Sequence, residues 1–163
     1  MNQIILASHG GLSKGALDTV RMIVGEIPNV HAISLERDDT EPLNTEAEAI
    51  MSAFSPDDVV YVLTDMLGSS VNNSMIELMA AHENVTVIAG MNMPLILTLA
   101  MKDELLSAQD IRELIAEGRR GIVDCAHPSD EIETAPKPAA AAATSRGGRA
   151  KIVLSRLDYR LLH

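Results

Sequence analysis

Gln3-Ile4-Ile5-Leu6-Ala7-Ser8-His9-Gly10-Gly11-Leu12-Ser13-Lys14-Gly15 opens on an apolar run, Ile4 to Ala7, that ends at a serine, a histidine and two glycines. Beyond them the apolar spacing changes to that of a helix, at Leu12, Ala16, Val20, Ile23 and Val24. This reads as a strand, a tight turn and a helix start, with His9 on the turn. In open parallel α/β sheets, ligands and reacting groups gather beyond the carboxyl ends of the strands, where helix N-termini offer free N–H donors to anions. His9 occupies such a position.

The same pattern repeats downstream. Gly25-Glu26-Ile27-Pro28-Asn29 is a turn cluster, and Val30 to Leu35 reads as a second strand. An acidic loop, Glu36 to Glu41, leads past Pro42 to Thr45-Glu46-Ala47-Glu48, a capping-box pattern for a helix to about Phe54. Val59 to Leu63 is continuous and apolar, as expected of a central strand covered on both faces. It stops at Thr64-Asp65, and Met66-Leu67-Gly68-Ser69-Ser70 delivers the chain to a helix carrying Val71, Met75, Leu78 and Met79. Val85 to Ala89 is a further strand, followed by Gly90-Met91-Asn92-Met93-Pro94 and a helix from Pro94 to about Lys102. Ser107-Ala108-Gln109-Asp110 starts a helix to about Glu117, with Gly118 near its end, and Gly121 to Ala126 reads as a last short strand. The alternation predicts an α/β fold, a doubly wound and mainly parallel open sheet of about four strands plus that short C-terminal one.

From His127 the character changes. Pro128, Pro136, Pro138, the run Ala139 to Ala143 and Thr144-Ser145-Arg146-Gly147-Gly148-Arg149 have almost nothing to bury. The expected organisation is a domain over 1–126, a linker over 127–150, and a strand-like fragment over 151–163 that opens another domain.

Composition sets the bounds. The 163 residues are 47% hydrophobic and 22% charged, and aromatics make up only 2%, so the core must be built from aliphatic residues and Met. A formal net charge of −10 argues against nucleic acid as a partner, since phosphate neutralisation requires a basic patch. Cys125 is the sole cysteine, which excludes an internal disulfide and fits a reducing, cytoplasmic setting. No apolar run approaches the ~20 residues of a membrane span, and the start lacks the basic flank and cleavage site of a signal peptide.

Three strand ends carry polar loops: Ser8-His9-Gly10-Gly11, Asp65 with Gly68-Ser69-Ser70, and Gly90-Met91-Asn92. All three open on one edge of the expected sheet, within reach of a hydrogen bond between His9 and Asp65. A carboxylate accepting from one ring nitrogen leaves the other as a lone-pair nucleophile. Ser70 and nearby N–H groups could hold an anion such as a phosphoryl group. From pattern alone, His9 and Asp65 read equally as functional groups or as, respectively, a turn residue and a helix cap. His31, His82 and His127 read as structural or solvated, the Met75 and Met79 pair as core filler, and Cys125 as a buried or edge residue. No metal-ligand spacing and no G-x-x-x-x-G-K phosphate loop is present, so neither metal nor cofactor is expected.

Ile-Leu-Ala-Ser-His9-Gly-Gly, Leu63-Thr-Asp65-Met-Leu-Gly68-Ser-Ser70-Val-Asn72-Asn and Val87-Ile-Ala-Gly90-Met-Asn92-Met-Pro94 together resemble enzyme IIA of the mannose family of the bacterial phosphoenolpyruvate-dependent sugar phosphotransferase system. Arg156-Leu-Asp158-Tyr-Arg160-Leu-Leu-His163 resembles the opening of that family's IIB domain, joined to IIA by an Ala/Pro-rich linker. The resemblance implies that His9 takes a phosphoryl group from phosphohistidine on HPr, that Asp65 orients it, and that Ser70 with N–H groups near Gly10 and Gly68 binds the phosphoryl oxygens. It implies His163 as the next acceptor, in the R-x-D-x-R-L-x-H pattern. It also implies a homodimer in which Gly121 to Ala126 is exchanged, and a cytoplasmic protein peripherally associated, through IIB, with membrane IIC and IID components. The sugar is not legible, because the membrane components choose it. Three other readings compete: the phosphotransfer subunit of a dihydroxyacetone kinase system, against which the IIB-like tail counts; a receiver-like domain phosphorylated on Asp65, which would gather acidic residues where Ser8 and His9 stand; and a domain that merely binds a small anion.

Overall fold

The computed structural model describes residues 1–39 and 42–127. The elements run β1 (Asn2–His9), α1 (Leu12–Val24), β2 (Val30–Leu35), α2 (Leu43–Met51), β3 (Val59–Thr64), α3 (Ser70–Ala81), β4 (Val85–Ala89), α4 (Met93–Ala100) and α5 (Ala108–Arg120). The four strands form one sheet in the order β2-β1-β3-β4, and every pairing is parallel. The expected α/β doubly wound parallel sheet is therefore the fold.

Strand order explains where a site can form. The chain leaves β1 for β2 on one side, then crosses back to β3 on the other, so the connections after β1 and β3 diverge to opposite faces. Such a switch point opens a crevice at the carboxyl ends of the two strands. His9 ends β1 and Asp65 follows β3. In register, Ala7 pairs with Thr64 and His9 with Leu35, which brings all three strand ends level.

Alternation along β1 divides the core. Ile4 and Leu6 enter one cluster with Leu17 and Val20 of α1, Leu95 to Leu97 and Leu99 of α4, and Leu114 of α5. Ile5 and Ala7 enter the other, with Leu43 and Ala47 of α2 and Val71, Met75 and Leu78 of α3. Both faces of β1 are covered, which is why the run shows no polar alternation.

The sequence pattern and the structure part in several places. Residues 121–126 are not a strand in the single chain: α5 runs on to Arg120, and turn structure follows. Gly118 does not stop α5. It is buried inside the helix, where a Cβ would meet Leu95 Cβ at 3.0 Å, so its lack of a side chain lets α5 lie close on α4. Helix α2 begins at Leu43 behind Pro42, with no side-chain cap, and not at the Thr45 box; it ends at Met51. Cys125 is exposed rather than buried or at an edge, and Met79 is partly exposed while Met75 is core. The fragment at 151–163 and all but His127 of the 127–150 linker lie outside the described residues, as does His163.

Candidate active site at the β1 and β3 ends

Two turns build the site. At the first, Gly10 takes a φ of +54°, a conformation costly for residues with a Cβ, and Gly11 caps α1. Buried serines fix this turn from behind: Ser8 Oγ accepts from the Ser13 N–H at 2.7 Å, and Ser13 Oγ donates to the Ile33 carbonyl at 2.6 Å. At the second turn, Gly68 has φ +76°, and Ser69 caps α3 by accepting from the Asn72 N–H. The first turns of α1 and α3 thus point their N-termini at one crevice.

His9 stands between the two turns and is held at three points. Asp65 Oδ2 accepts from the His9 backbone N–H at 2.9 Å and lies 2.7 Å from Nδ1 of the ring. Nε2 lies 3.0 Å from Ser70 Oγ. With Asp65 ionised, Nδ1 carries the proton and Nε2 the lone pair, so the Ser70 hydroxyl donates to Nε2. The side chain of His9 is 42% exposed and that of Asp65 11%, so the nucleophilic nitrogen is reachable while its orienting carboxylate is shielded.

Burial is the largest single influence on the Asp65 carboxyl, and it acts upward. The bonds from the His9 N–H, the His9 ring and the Met66 N–H, with the His9 charge, together outweigh it and hold the group below its ordinary value. It stays a carboxylate at neutral pH, as an orienting acceptor must.

His9, Asp65 and Ser70 are thus brought together as the sequence pattern suggests. The two glycines play a different part from that of donors. The Gly10 N–H donates to the Leu35 carbonyl and the Gly68 N–H to Asn72 Oδ1. Their positive φ values shape the turns, and among the described residues the neighbouring N–H groups of Gly11 and Leu12 in the first turn, and of Leu67 and Ser70 in the second, have no acceptor. The third polar loop does not reach the histidine. Asn92 caps α4 through the Leu95 N–H and donates to the Gly118 carbonyl, while Gly90 and Met91 donate to the Thr64 carbonyl.

The remaining histidines lie elsewhere. His31 packs on Phe54, and burial lowers its pKa; His82 sits 3.9 Å from Glu48, and His127 pairs with Asp124. Asn72 and the buried serines brace the two turns, a role that reading the pattern missed. They look like ordinary turn residues, and only their burial sets them apart. Among the described residues, no group of three His, Cys, Asp or Glu side chains could hold a metal ion, and no helix is long and apolar enough to cross a membrane.

Comparison with known proteins agrees with this geometry. A family model described as "PTS system fructose IIA component", EIIA-man, matches residues 3–116. The mannose-specific EIIAB component of Escherichia coli K12 is 30% identical over 171 aligned positions, covering 98% of this chain and 53% of that protein. The chain thus spans about half the length of such relatives. A sorbose-specific EIIA component from Lacticaseibacillus casei is 30% identical over 111 positions, covering 67% of this chain and 79% of the other. Among solved structures, the PTS IIA protein associated with the fucose utilization operon of Streptococcus pneumoniae superposes with a TM-score of 0.67 at 25% identity, covering 77% of this chain and 94% of that one. With a match that takes in β1 through most of α5, the chain belongs to the EIIA-man family of sugar phosphotransferase system IIA components.

Proposed function

We propose that the chain is a histidine phosphocarrier, taking a phosphoryl group from phospho-HPr on His9 and passing it to a IIB histidine during sugar uptake. The observation that carries this reading is the opposite engagement of the two ring nitrogens, Nδ1 on Asp65 at 2.7 Å and Nε2 facing Ser70 at 3.0 Å. In the transfer, the Nε2 lone pair attacks phosphorus in line. The bond from phosphorus to the donor's ring nitrogen breaks, and its electron pair returns to that nitrogen. No proton leaves Nε2, because none is there. The positive charge that develops on the His9 ring is met by the Asp65 carboxylate through Nδ1–H. Ser70 Oγ turns to a phosphoryl oxygen, joined by the Gly11 and Leu67 N–H groups, while Gly10 and Gly68 let the backbone approach. Such transfer rests on positioning and charge stabilisation, with little covalent work for the protein.

Leu12, Met66 and Leu67 are exposed in the same two turns, Leu67 at 79%, and offer an apolar rim on which a donor can dock. The receiver alternative is disfavoured by the partners of Asp65, a ring N–H and two backbone N–H groups, and among the described residues no three His, Cys, Asp or Glu side chains could hold a metal ion. For residues 127–163 we retain the reading of a linker followed by the opening of a IIB domain, with His163 the next acceptor. It is supported by an alignment with the mannose-specific EIIAB component that extends over 98% of the chain. Dimer formation and association with membrane IIC and IID components through IIB belong to the same proposal, as does a cytoplasmic location.

The test is incubation with phosphoenolpyruvate, enzyme I and HPr, comparing the wild type with His9→Ala. Acid-labile, base-stable label that is lost in the variant is expected. Undiminished labelling of His9→Ala within residues 1–127 would overturn the assignment.

A further inference from the structure

The two groups that define the His9 ring, Asp65 and Ser70, lie on one loop, and that loop is braced by a single buried side chain. Asn72 is 1% exposed. Its Oδ1 accepts from the Gly68 N–H at 2.9 Å, its Nδ2 donates to Thr64 Oγ1 at 3.0 Å, and its own N–H donates to Ser69 Oγ at 3.2 Å. Thr64 is fully buried, and its carbonyl accepts from Gly90 at 2.9 Å and Met91 at 3.0 Å, which ties it to the end of β4. The residue before Asp65 and the turn before Ser70 are therefore both fixed to one amide, which is in turn anchored through Thr64 to the sheet.

We infer that Asn72 is a positioning residue for phosphoryl transfer: by clamping Thr64 and Gly68 it holds Asp65 and Ser70 at the spacing that fixes one tautomer of His9. This rests on the reading of His9 as the phosphoryl acceptor. Asn72 makes its hydrogen bonds to Thr64, Gly68 and Ser69 and none to the ring, so its effect passes through the loop. An amide is the group the position requires, since it must donate to a hydroxyl and accept from an N–H at once, and a buried carboxylate would lose the first bond. Misplacing an oriented group by about 1 Å costs about 100-fold in rate.

The experiment uses the full chain and two readouts. Nitrogen-15 spectra of the His9 ring report the tautomer without any phosphoryl donor, and steady-state transfer from phospho-HPr gives kcat and KM. In Asn72→Ala the ring signals should move from a single Nδ1-protonated form to a mixture, with kcat down by about 100-fold and KM for the donor unchanged. Thr64→Val removes only the hydroxyl that Asn72 donates to, and should give the same change of tautomer with a smaller loss of kcat. A folded Asn72→Ala or Thr64→Val protein with the wild-type tautomer and kcat would overturn the inference. Should Asn72→Ala not fold, Thr64→Val decides by the same two readouts. If the wild type takes no phosphoryl group the proposed function fails, and the ring spectra still decide the role of Asn72.

Discussion

One carboxylate oxygen of Asp65 holds both the ring and the main chain of His9, at 2.7 Å from Nδ1 and 2.9 Å from the backbone nitrogen. The first bond sets the tautomer and the second sets where the residue stands, so β3 fixes the reacting group of β1. Replacing Asp65 by Ala should keep the fold, because the site lies outside both core clusters. Transfer should slow by about 10- to 1,000-fold, the scale for losing an orienting or proton-handling group. Rapid-quench measurement of label arriving on His9 checks this, and a wild-type rate would remove Asp65 from the mechanism.

Ser70 serves Nε2 in the resting chain, 3.0 Å away, and must release it before phosphorus arrives. On the proposed reading its contribution lies with the phosphoryl oxygens, as the first residue of α3. Ser70→Ala should therefore lower kcat by up to about 100-fold, as for the loss of one preorganised donor, with the donor's KM little changed. An equal effect on KM alone would instead make Ser70 a docking residue.

Acid should unfold the domain through its paired carboxylates, and Asp58 is the clearest case. It is buried, and it accepts from the Met1 amino group at 2.5 Å, from Gln3 Nε2 at 2.9 Å and from the Ser55 N–H at 3.2 Å. The bond from the Met1 amino group, then that from Gln3, pulls its pKa below the ordinary value. A depressed folded-state pKa means that the unfolded chain takes up the proton first as pH falls. The stabilisation is thus complete above the unfolded value of about 3.9 and is lost as pH drops through the lower folded value. Urea unfolding at pH 7 and near pH 3 should show a larger acid loss for wild type than for Asp58→Asn. Equal losses would mean that Asp58 does not carry this linkage.

The order of elements was legible in the sequence because the two central strands, covered on both faces, carry the unbroken apolar runs Ile4 to Ala7 and Val59 to Leu63, and the outer strands are bounded by clear turn clusters. His9 and Asp65 were legible as candidates because strand ends in such sheets share an edge. What was hidden depends on partners distant in sequence. The Gly10 N–H is satisfied by Leu35 across the sheet, and nothing within the turn could announce it. Ser8, Ser13, Ser34 and Asn72 look like ordinary polar residues of a turn, a strand or a helix until packing buries them, Ser13 against Ser8, Ile33 and Ser34 and Asn72 against Gly68 and Thr64. Gly118 reads as a helix stop by local rule, and the contact with Leu95 overrides that rule. For 121–126, β propensity in Ile122 and Val123 finds no paired strand in the single chain, and both side chains are exposed.

Stability should depend strongly on β1, whose Ile4 and Leu6 enter one core cluster and Ile5 and Ala7 the other, all four fully buried. Leu6 is fully buried among residues of α1, α4 and β3. Leu6→Ala should cost about 2–5 kcal/mol, the range for a large-to-small change at a site that cannot collapse. Equilibrium unfolding in urea measures it, with the midpoint falling and the slope retained. A loss under about 1 kcal/mol would mean that α1 and α4 close over the gap.

Both core clusters close within the residues from Ile4 to Leu114. The clusters are those of the described residues, and the Ala, Pro and Gly content of residues 128–150 gives that stretch little to bury. Ending the chain at residue 127 should leave the melting temperature of the remaining domain within about 2 °C, since removing residues that bury no core changes little of the folding free energy. His9 should still accept label from phospho-HPr at the full-length rate, because among the described residues the groups that hydrogen-bond its ring are Asp65 and Ser70. If His163 is the next acceptor as proposed, label reaching residues 128–163 in the full chain is absent from the shortened one. A drop in melting temperature of about 10 °C or more would instead show that the tail packs on the domain and contributes several kcal/mol to it.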